Sequence, residues 1–505
     1  MNVALRSSAA PEARERRAVW LLCAAAAVRV LVYAAAFPFF GNMDEEAHFD
    51  TVFAYAQQGP PRELVRFDPR VARVIAGYNS PEFFVPLEQM PEGLPPPLWK
   101  QPAAQAEAAL ERRAARWETR TNHQSLALPL YYALAAAWLR AGQALSPDPG
   151  WQLYWLRFLD VPLAAALVGI AYAVARQVFP AERFARLAVP ALIALLPQDA
   201  FHSIQSDVLS PLVFGLAFLG LVHFVRAARP GVTAAALTGL ALAATALTKT
   251  TNAPLLAVAG AALAVDALRR RSAGSFRDAL PALTALVACA ALPFGAWLLR
   301  NELVLGDFTG SAAQAAAMGW TRKPIGAWWP HPIFTPSGLF LFWWEISVSL
   351  WRGELVWHAQ RLAWRSADLL YWGSSTLFLV AALWRLRPHA RGPSPERWPL
   401  VLALACFVAS LAFLALLSLA FDFGNCPYPS RAHPFFSSGR YLSGALIPFA
   451  LLYVYGLDTC LVRMRMRDDK PRFALLAAIL LFATLSEIAV NRVAFASPYN
   501  WFALP

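Results

Sequence analysis

Eleven stretches of this chain stay apolar for long enough to cross a bilayer: about 18–39, 153–176, 187–204, 208–225, 232–248, 253–268, 280–299, 366–384, 399–420, 441–461 and 473–491. A hydrocarbon interior offers no water to backbone polar groups, so each stretch must close its hydrogen bonds internally, as a helix. The class follows before any motif is read: an all-α polytopic membrane protein with about 11 transmembrane helices. Composition agrees. Of 505 residues, 58% are hydrophobic and 15% charged, too apolar for a water-soluble surface.

The net charge of +12 is not a nucleic-acid signal. The basic residues fall in short segments between apolar runs, as cytoplasmic loops do. Five such segments stand out: Arg176 to Arg186, Arg226 with Arg229, Arg269 to Arg277, Arg385 to Arg397, and Arg463 to Arg472. A twelfth apolar run, 125–141, would put all five on the side opposite the basic N-terminus if it crossed. It is therefore read as a membrane-dipping helix. The N-terminus is then inside, the C-terminus outside, and the first run is an uncleaved helix rather than a signal peptide. The five cysteines make no disulfide framework or metal-ligand spacing; no cofactor is expected, and a divalent metal stays open without a clear motif for it.

This topology divides the chain into a cytoplasmic tail (1–17), a membrane core (18–299) with a long outer loop (41–152), a tryptophan-rich outer loop (300–365), C-terminal helices (366–491) with an outer loop (421–440), and an outer tail (492–505). In the first loop, Phe49, Val52, Phe53 and Ala56 recur at helical spacing and predict an amphipathic helix on the membrane surface. Prolines from Pro81 to Pro97 exclude regular helix there. Residues 102–117 predict a second amphipathic helix with Arg112, Arg113 and Arg116 on its polar side. Eight tryptophans between Trp320 and Trp364 read as an interface belt.

The chemistry-bearing residues gather on the outer side. Asp44-Glu45-Glu46 and His48 follow the first helix directly. Asp44 is placed to cap the next helix and to act as a general base, with Glu45 beside it and His48 one turn on. His123 precedes the dipping helix. Asp207 lies in a short outer turn, as a cap or near the site. Cations are disfavoured on this side, so Lys249, Arg300 and Arg440 are candidates to neutralise an anionic leaving group. Arg157 and Asp160, one turn apart, read as a structural ion pair. Arg29 lies deep in the first run, and Asp266 is a second unexplained charge.

These pieces, in this order, resemble the GT-C superfamily of membrane glycosyltransferases, which includes the protein O-mannosyltransferases, the aminoarabinose transferase of lipid A and the rhizobial galacturonosyltransferases. The likeness rests on Asp44-Glu45 after the first helix, Leu128-Pro129-Leu130-Tyr131-Tyr132, Leu156-Arg157-Phe158, Asp207 in its turn, and Leu247-Thr248-Lys249. Trp297-Leu298-Leu299-Arg300-Asn301 and Gly439-Arg440-Tyr441 extend it. The resemblance implies a polyprenyl-phosphate sugar donor, an envelope glycan, lipid or protein acceptor, and inverting transfer on the outer face of the cytoplasmic membrane with Asp44 as base. Leu-Pro-Leu stands where many relatives have a basic residue before Pro-Pro-Leu, and no second acidic pair matches a metal motif. Competing readings are a lipid-linked sugar flippase, an O-antigen polymerase or ligase, and an inactive scaffold.

Overall fold

The computed structural model describes residues 2–387, 397–466 and 468–504, with side chains from residue 12 onward. Most of the basic segment Arg385 to Arg397, and Arg467 of the segment Arg463 to Arg472, lie outside the described residues, as do Met1 and Pro505 of the two tails. The chain opens with α1 (Asn2–Ala36) and the short helices α2 (Glu45–Gln57), α3 (Pro69–Tyr78), α4 (Ala103–Glu118) and α5 (Pro129–Leu145). The first part of the bundle follows: α6 (Pro149–Arg157), α7 (Asp160–Val178), α8 (Arg183–Ala194), α9 (Ser210–Arg226), α10 (Val232–Thr248), α11 (Ala253–Ser272) and α12 (Phe276–Leu305). A mixed segment then holds α13 (Ser311–Ala317), α14 (Pro336–Arg352) and three two-residue strands, β1 (Thr321–Arg322), β2 (Val356–Trp357) and β3 (Gln360–Arg361). The chain ends with α15 (Arg365–Arg385), α16 (Arg397–Ala420), β4 (Phe421–Asp422), α17 (Leu446–Arg463) and α18 (Asp469–Phe495). β1 pairs antiparallel with β4, and β2 with β3.

Among the described residues, nine helical segments are long and apolar enough to cross a membrane, and α10 is a shorter apolar helix. Their outward faces are frankly apolar: Leu303 is 77% exposed, Trp20 74% and Leu292 71%. Such surfaces are stable against lipid and not against water. The chain is a multi-pass membrane protein.

One predicted crossing is corrected. The run 187–204 does not continue as helix, because α8 stops at Ala194 just ahead of Pro197, which disfavours helical backbone in the residue before it. Residues 196–209 run on as irregular backbone and two 3-10 turns, all buried in protein, where irregular backbone can be shielded from lipid. The run 125–141 forms α5, which is not among the spanning segments; it packs on α2 and α6.

The basic segments meet at one end of the bundle. Arg186 binds Glu15 at 2.8 Å, Arg183 approaches Asp469, Arg229 approaches Asp278, and Arg270 donates to Ala228 O. Arg385 and Arg472 share Asp458. Residues 41–152, the 199–207 turn and segments 300–365 and 421–440 gather at the opposite end, tied by Asn42 to Glu354, Arg300 to Pro61, Ile204 to Glu45 and Arg440 to Asp44.

The deep charges are partnered. Arg29 binds Glu487 at 2.8 Å, with side chains 8% and 1% exposed, and Asp266 binds Arg270 one turn on. Arg157 does not pair with Asp160, whose two oxygens are buried without a hydrogen-bond partner. It turns to Glu45 instead, at 2.6 Å.

The expected surface helix is also corrected. α2 is buried on most of its circumference, including His48, Asp50 and Thr51, because α5 covers one side. α4 keeps the expected polar face, with Arg112, Arg113 and Arg116 exposed. The tryptophan belt divides: Trp351 and Trp357 are core residues at 1% and 8% exposure, whereas Trp329 and Trp364 are open.

Candidate functional site

The site begins with how α1 is brought to a stop. The last carbonyls of a helix lack partners within it. Here Arg157 supplies them: Nη1 donates to Ala34 O at 3.0 Å and Phe37 O at 2.6 Å, and Nη2 donates to Pro38 O at 3.0 Å. The same guanidinium holds Glu45, whose remaining capacity is taken by the backbone N–H groups of Phe40 and Ile204, both at 2.9 Å. Glu45 is 1% exposed and every one of these contacts is internal. In this geometry the Glu45 carboxylate, predicted to be catalytic beside Asp44, is fully engaged in structural contacts. It ties the end of α1, the start of α2 and the 199–207 turn together.

Asp44 stands at the edge of that knot. Its backbone is left-handed, φ 60°, and its carbonyl accepts the first bonds of α2 from Ala47 N and His48 N. Its side chain does not cap α2, contrary to expectation. A non-glycine residue in this region costs roughly 1–2 kcal/mol, and such strain persists where the surroundings impose it. The consequence is a carboxylate turned away from the helix: Arg440 Nη2 donates to Asp44 Oδ2 at 3.2 Å, and His123 Nε2 lies 3.9 Å from Oδ1. Arg440 Nη1 also reaches Met43 O at 3.3 Å. Burial opposes ionisation of Asp44, but Arg440, then His123 and His48, outweigh it and hold the carboxyl below its ordinary range.

Asn122, fully buried, latches His123 in place. Its Nδ2 donates to Ala47 O, Asp50 Oδ2 and Thr51 Oγ1 of α2, and its Oδ1 accepts from Gln124 N. His48 Nδ1 shares a hydrogen bond with the Tyr132 hydroxyl at 2.8 Å. Burial, with Lys249, Arg440 and His123, pushes His48 down to about 3 against the pull of Asp44, so the ring is neutral at neutral pH. Glu46 is the opposite case. Burial first, then Asp44, pushes it up to about 8, and its Oε2 is buried without a partner.

The second ion pair completes the cluster. Lys249 Nζ contacts Asp207 Oδ1; Asp207 is 1% exposed and its Oδ2 has no partner. Asp207 lies in a 3-10 turn ahead of α9 and does not cap it. Tyr441 joins the two pairs: Lys249 Nζ sits 4.7 Å from its ring centre, and Arg440 Nη2 donates to its hydroxyl at 3.3 Å. Burial pulls the Lys249 ammonium below its ordinary value; Asp207 opposes this and Arg440 adds to it.

Six of the eight predicted side chains thus come together from five separate segments: Asp44, His48, His123, Asp207, Lys249 and Arg440. Glu45 lies behind them. Arg300 stands apart, bound to Asn301 Oδ1 at 3.0 Å and to Pro61 O, over the Trp297 ring. Tyr132 and Tyr441, which stand in the motifs quoted above without a role of their own, join the cluster, as do Asn122 and Glu354. Glu354 is 8% exposed, accepts from Ser438 Oγ at 2.5 Å and leaves Oε1 unpartnered beside the Arg440 turn. Tyr132 and Tyr441 carried a signal, in Leu128-Pro129-Leu130-Tyr131-Tyr132 and Gly439-Arg440-Tyr441, whereas Glu354 carried none. Among the described residues, no three or more His, Cys, Asp or Glu side chains gather as a metal-ligand set.

A family model described as "Predicted membrane protein (DUF2142)" matches residues 28–427. The chain belongs to that family. The match runs from within α1 to the β4 turn, so it takes in Asp44, His123, Asp207 and Lys249 and stops short of Arg440. No curated protein matches the chain. Among solved structures, it is similar to the Archaeoglobus fulgidus oligosaccharyltransferase in its apo form, with 11% identity and a TM-score of 0.43, over 95% of this chain and 56% of that one. The complex of that enzyme with Zn and sulfate gives 12% identity and 0.42 over 95% and 53%. Its complex with an inhibitory peptide and a dolichol-phosphate gives 13% and 0.38 over 93% and 56%. The chain spans about half the length of these proteins.

Proposed function

We propose that the chain is a membrane glycosyltransferase of GT-C type, moving a sugar from a polyprenyl-phosphate donor to an acceptor hydroxyl at the outer face of the cytoplasmic membrane. One observation carries the reading: a strained, partly exposed carboxylate, Asp44, is held by Arg440, and Tyr441 links that pair to a second one, Lys249 with Asp207, at the end of the bundle away from the basic loops. The sequence resemblance to GT-C enzymes, which includes Asp44 and Lys249, adds to it. The positive-inside rule puts this end outside.

In this mechanism Asp44 takes the proton of the acceptor hydroxyl as its oxygen bonds to the anomeric carbon. The bond from that carbon to the phosphate oxygen breaks, and polyprenyl phosphate leaves with the electron pair. Configuration inverts. Arg440 and Lys249 stabilise the charge gathering on the phosphate. The resting pairing has a use here. While Arg440 binds Asp44 it lowers the basicity of the carboxylate. A donor phosphate competing for Arg440 releases Asp44 as a stronger base, so the base is armed when the donor is seated. His123 and His48 flank the carboxylate, and Asp207 holds Lys249.

The test is transfer from a panel of radiolabelled polyprenyl-phosphate sugars to a cell-envelope extract by purified wild type and Asp44→Asn. A positioned general base contributes roughly 10²–10⁴ in rate. The expected result is transfer by wild type and a loss of at least roughly 100-fold in a folded Asp44→Asn protein. Equal transfer by both removes Asp44 from the mechanism.

A further inference from the structure

Away from the Asp44 cluster, at the same end of the bundle, lies a cleft of about 750 Å³. The last turns of α18 form one wall, through Val490, Arg492 and Val493. The β2–β3 hairpin and the irregular segment leading to α15 form the other, through Trp357, Arg361 and Trp364. Arg361 and Arg492 face the cleft from two different elements, and neither forms a salt bridge with a described residue. Glu88 is the one acid on its walls. Glu345, which lies in the field of Arg361, is itself bound to His433 at 2.8 Å.

Below the cleft, α18 offers an apolar track. Leu481, Leu485 and Ile488 are 60%, 51% and 51% exposed and lie at helical spacing, with Arg492 one turn further on the same face. Trp364, 41% exposed and stacked on Phe482 with ring centres 5.4 Å apart, adds a broad apolar face beside this track. Inward, the cleft narrows to a pocket of about 20 Å³ that shares Trp364 and Val490 and reaches Asp199 and Glu487. That inner pocket has no room for a headgroup, so a negative headgroup stops at the arginines. The hairpin that presents Arg361 is held in an enforced shape. His358 and Ala359 both have positive φ, 50° and 62°, and are tied down by bonds from His358 N to Glu82 O and Ala359 N to Phe83 O. Positive φ at both positions is what a two-residue hairpin turn requires, and the two bonds fix where that turn presents Arg361.

We propose that this cleft holds the headgroup phosphate of an anionic glycerophospholipid between Arg361 and Arg492, with an acyl chain along the Leu481–Ile488 track. The site is independent of the transferase reading and of Asp44.

The experiment is native mass spectrometry of the full-length protein in detergent, titrated separately with phosphatidylglycerol, phosphatidylcholine and polyprenyl phosphate, with thermal unfolding as a control for folding. Wild type is expected to retain phosphatidylglycerol over phosphatidylcholine by roughly tenfold or more, and the Arg361→Ala/Arg492→Ala protein to lose that preference. Val490→Trp, which fills the cleft and leaves both arginines, is expected to lose it too. Equal retention by wild type and both variants overturns the proposal. So does retention of polyprenyl phosphate, in preference to phosphatidylglycerol, that depends on the same two arginines.

Discussion

Glu45 and Asp44 are adjacent and chemically alike, yet their surroundings give them opposite work. Removing one partner of a buried ion pair strands the other, typically at a cost of 3–5 kcal/mol. Glu45→Gln is therefore expected to lower the unfolding temperature in detergent steeply, whereas Asp44→Asn, at a site partly open to solvent, changes it little. If Glu45→Gln folds normally and loses transfer, Glu45 is catalytic after all. Glu46 makes a pH prediction. Its folded value lies near 8, above the ordinary carboxyl range, so the neutral form favours the folded state. The unfolded chain ionises first, and stability falls as pH rises from the ordinary range to about 8. Glu46→Gln is expected to unfold at a higher temperature than wild type at pH 8, with the gap shrinking towards pH 5; a gap independent of pH refutes the assignment.

At the scale of elements, close backbone contacts set the site. Gly439 lies where a Cβ would come 2.1 Å from Leu350 N of α14, and it directly precedes Arg440. Gly439→Ala must push α14 and the Arg440 turn apart. The expected outcome is a loss of transfer as well as stability, although the side chain added touches no substrate. Gly353, with φ 79°, faces Asp199, whose Oδ1 would lie 1.7 Å from a Cβ; its carboxylate binds the N–H groups of Glu354 and Leu355. Gly353→Ala is expected to prevent folding of the 353–362 segment, read as new protease cleavage there. Cleavage at the wild-type rate counts against this close packing.

For the whole molecule, the two ends have opposite character, and the membrane must read them. The Arg183–Asp469, Arg229–Asp278 and Arg385–Asp458 contacts draw the basic segments to one end. In a chain whose own cysteines are replaced, Asn425→Cys near the Asp44 end is expected to react with a membrane-impermeant thiol reagent in intact cells. Ser272→Cys at the basic end is expected to react only after lysis. The reverse pattern inverts the proposed topology and places Asp44 in the cytoplasm.

The class, nine of the spanning helices and the grouping of basic segments were legible in the sequence, because apolar length and charge bias are local properties that lipid acts on directly. The break after α8 was legible only in part: Pro197 marks it, but shielding of the buried turn that follows comes from neighbouring helices. Asp44 was visible by its place after α1. Its freedom from capping was not, since that depends on Arg157, 113 positions away, and on Arg440, 396 positions away. Choosing Glu45 over Asp160 as the partner of Arg157 likewise needed the two chain segments in contact, because an i,i+3 spacing shows only that a pair can form. The sequence by itself determined which residues could lie at one end of the bundle. Which carboxylate is locked and which is left partly open beside Arg440 was decided by tertiary packing, because a buried charge takes the partners that the fold brings to it.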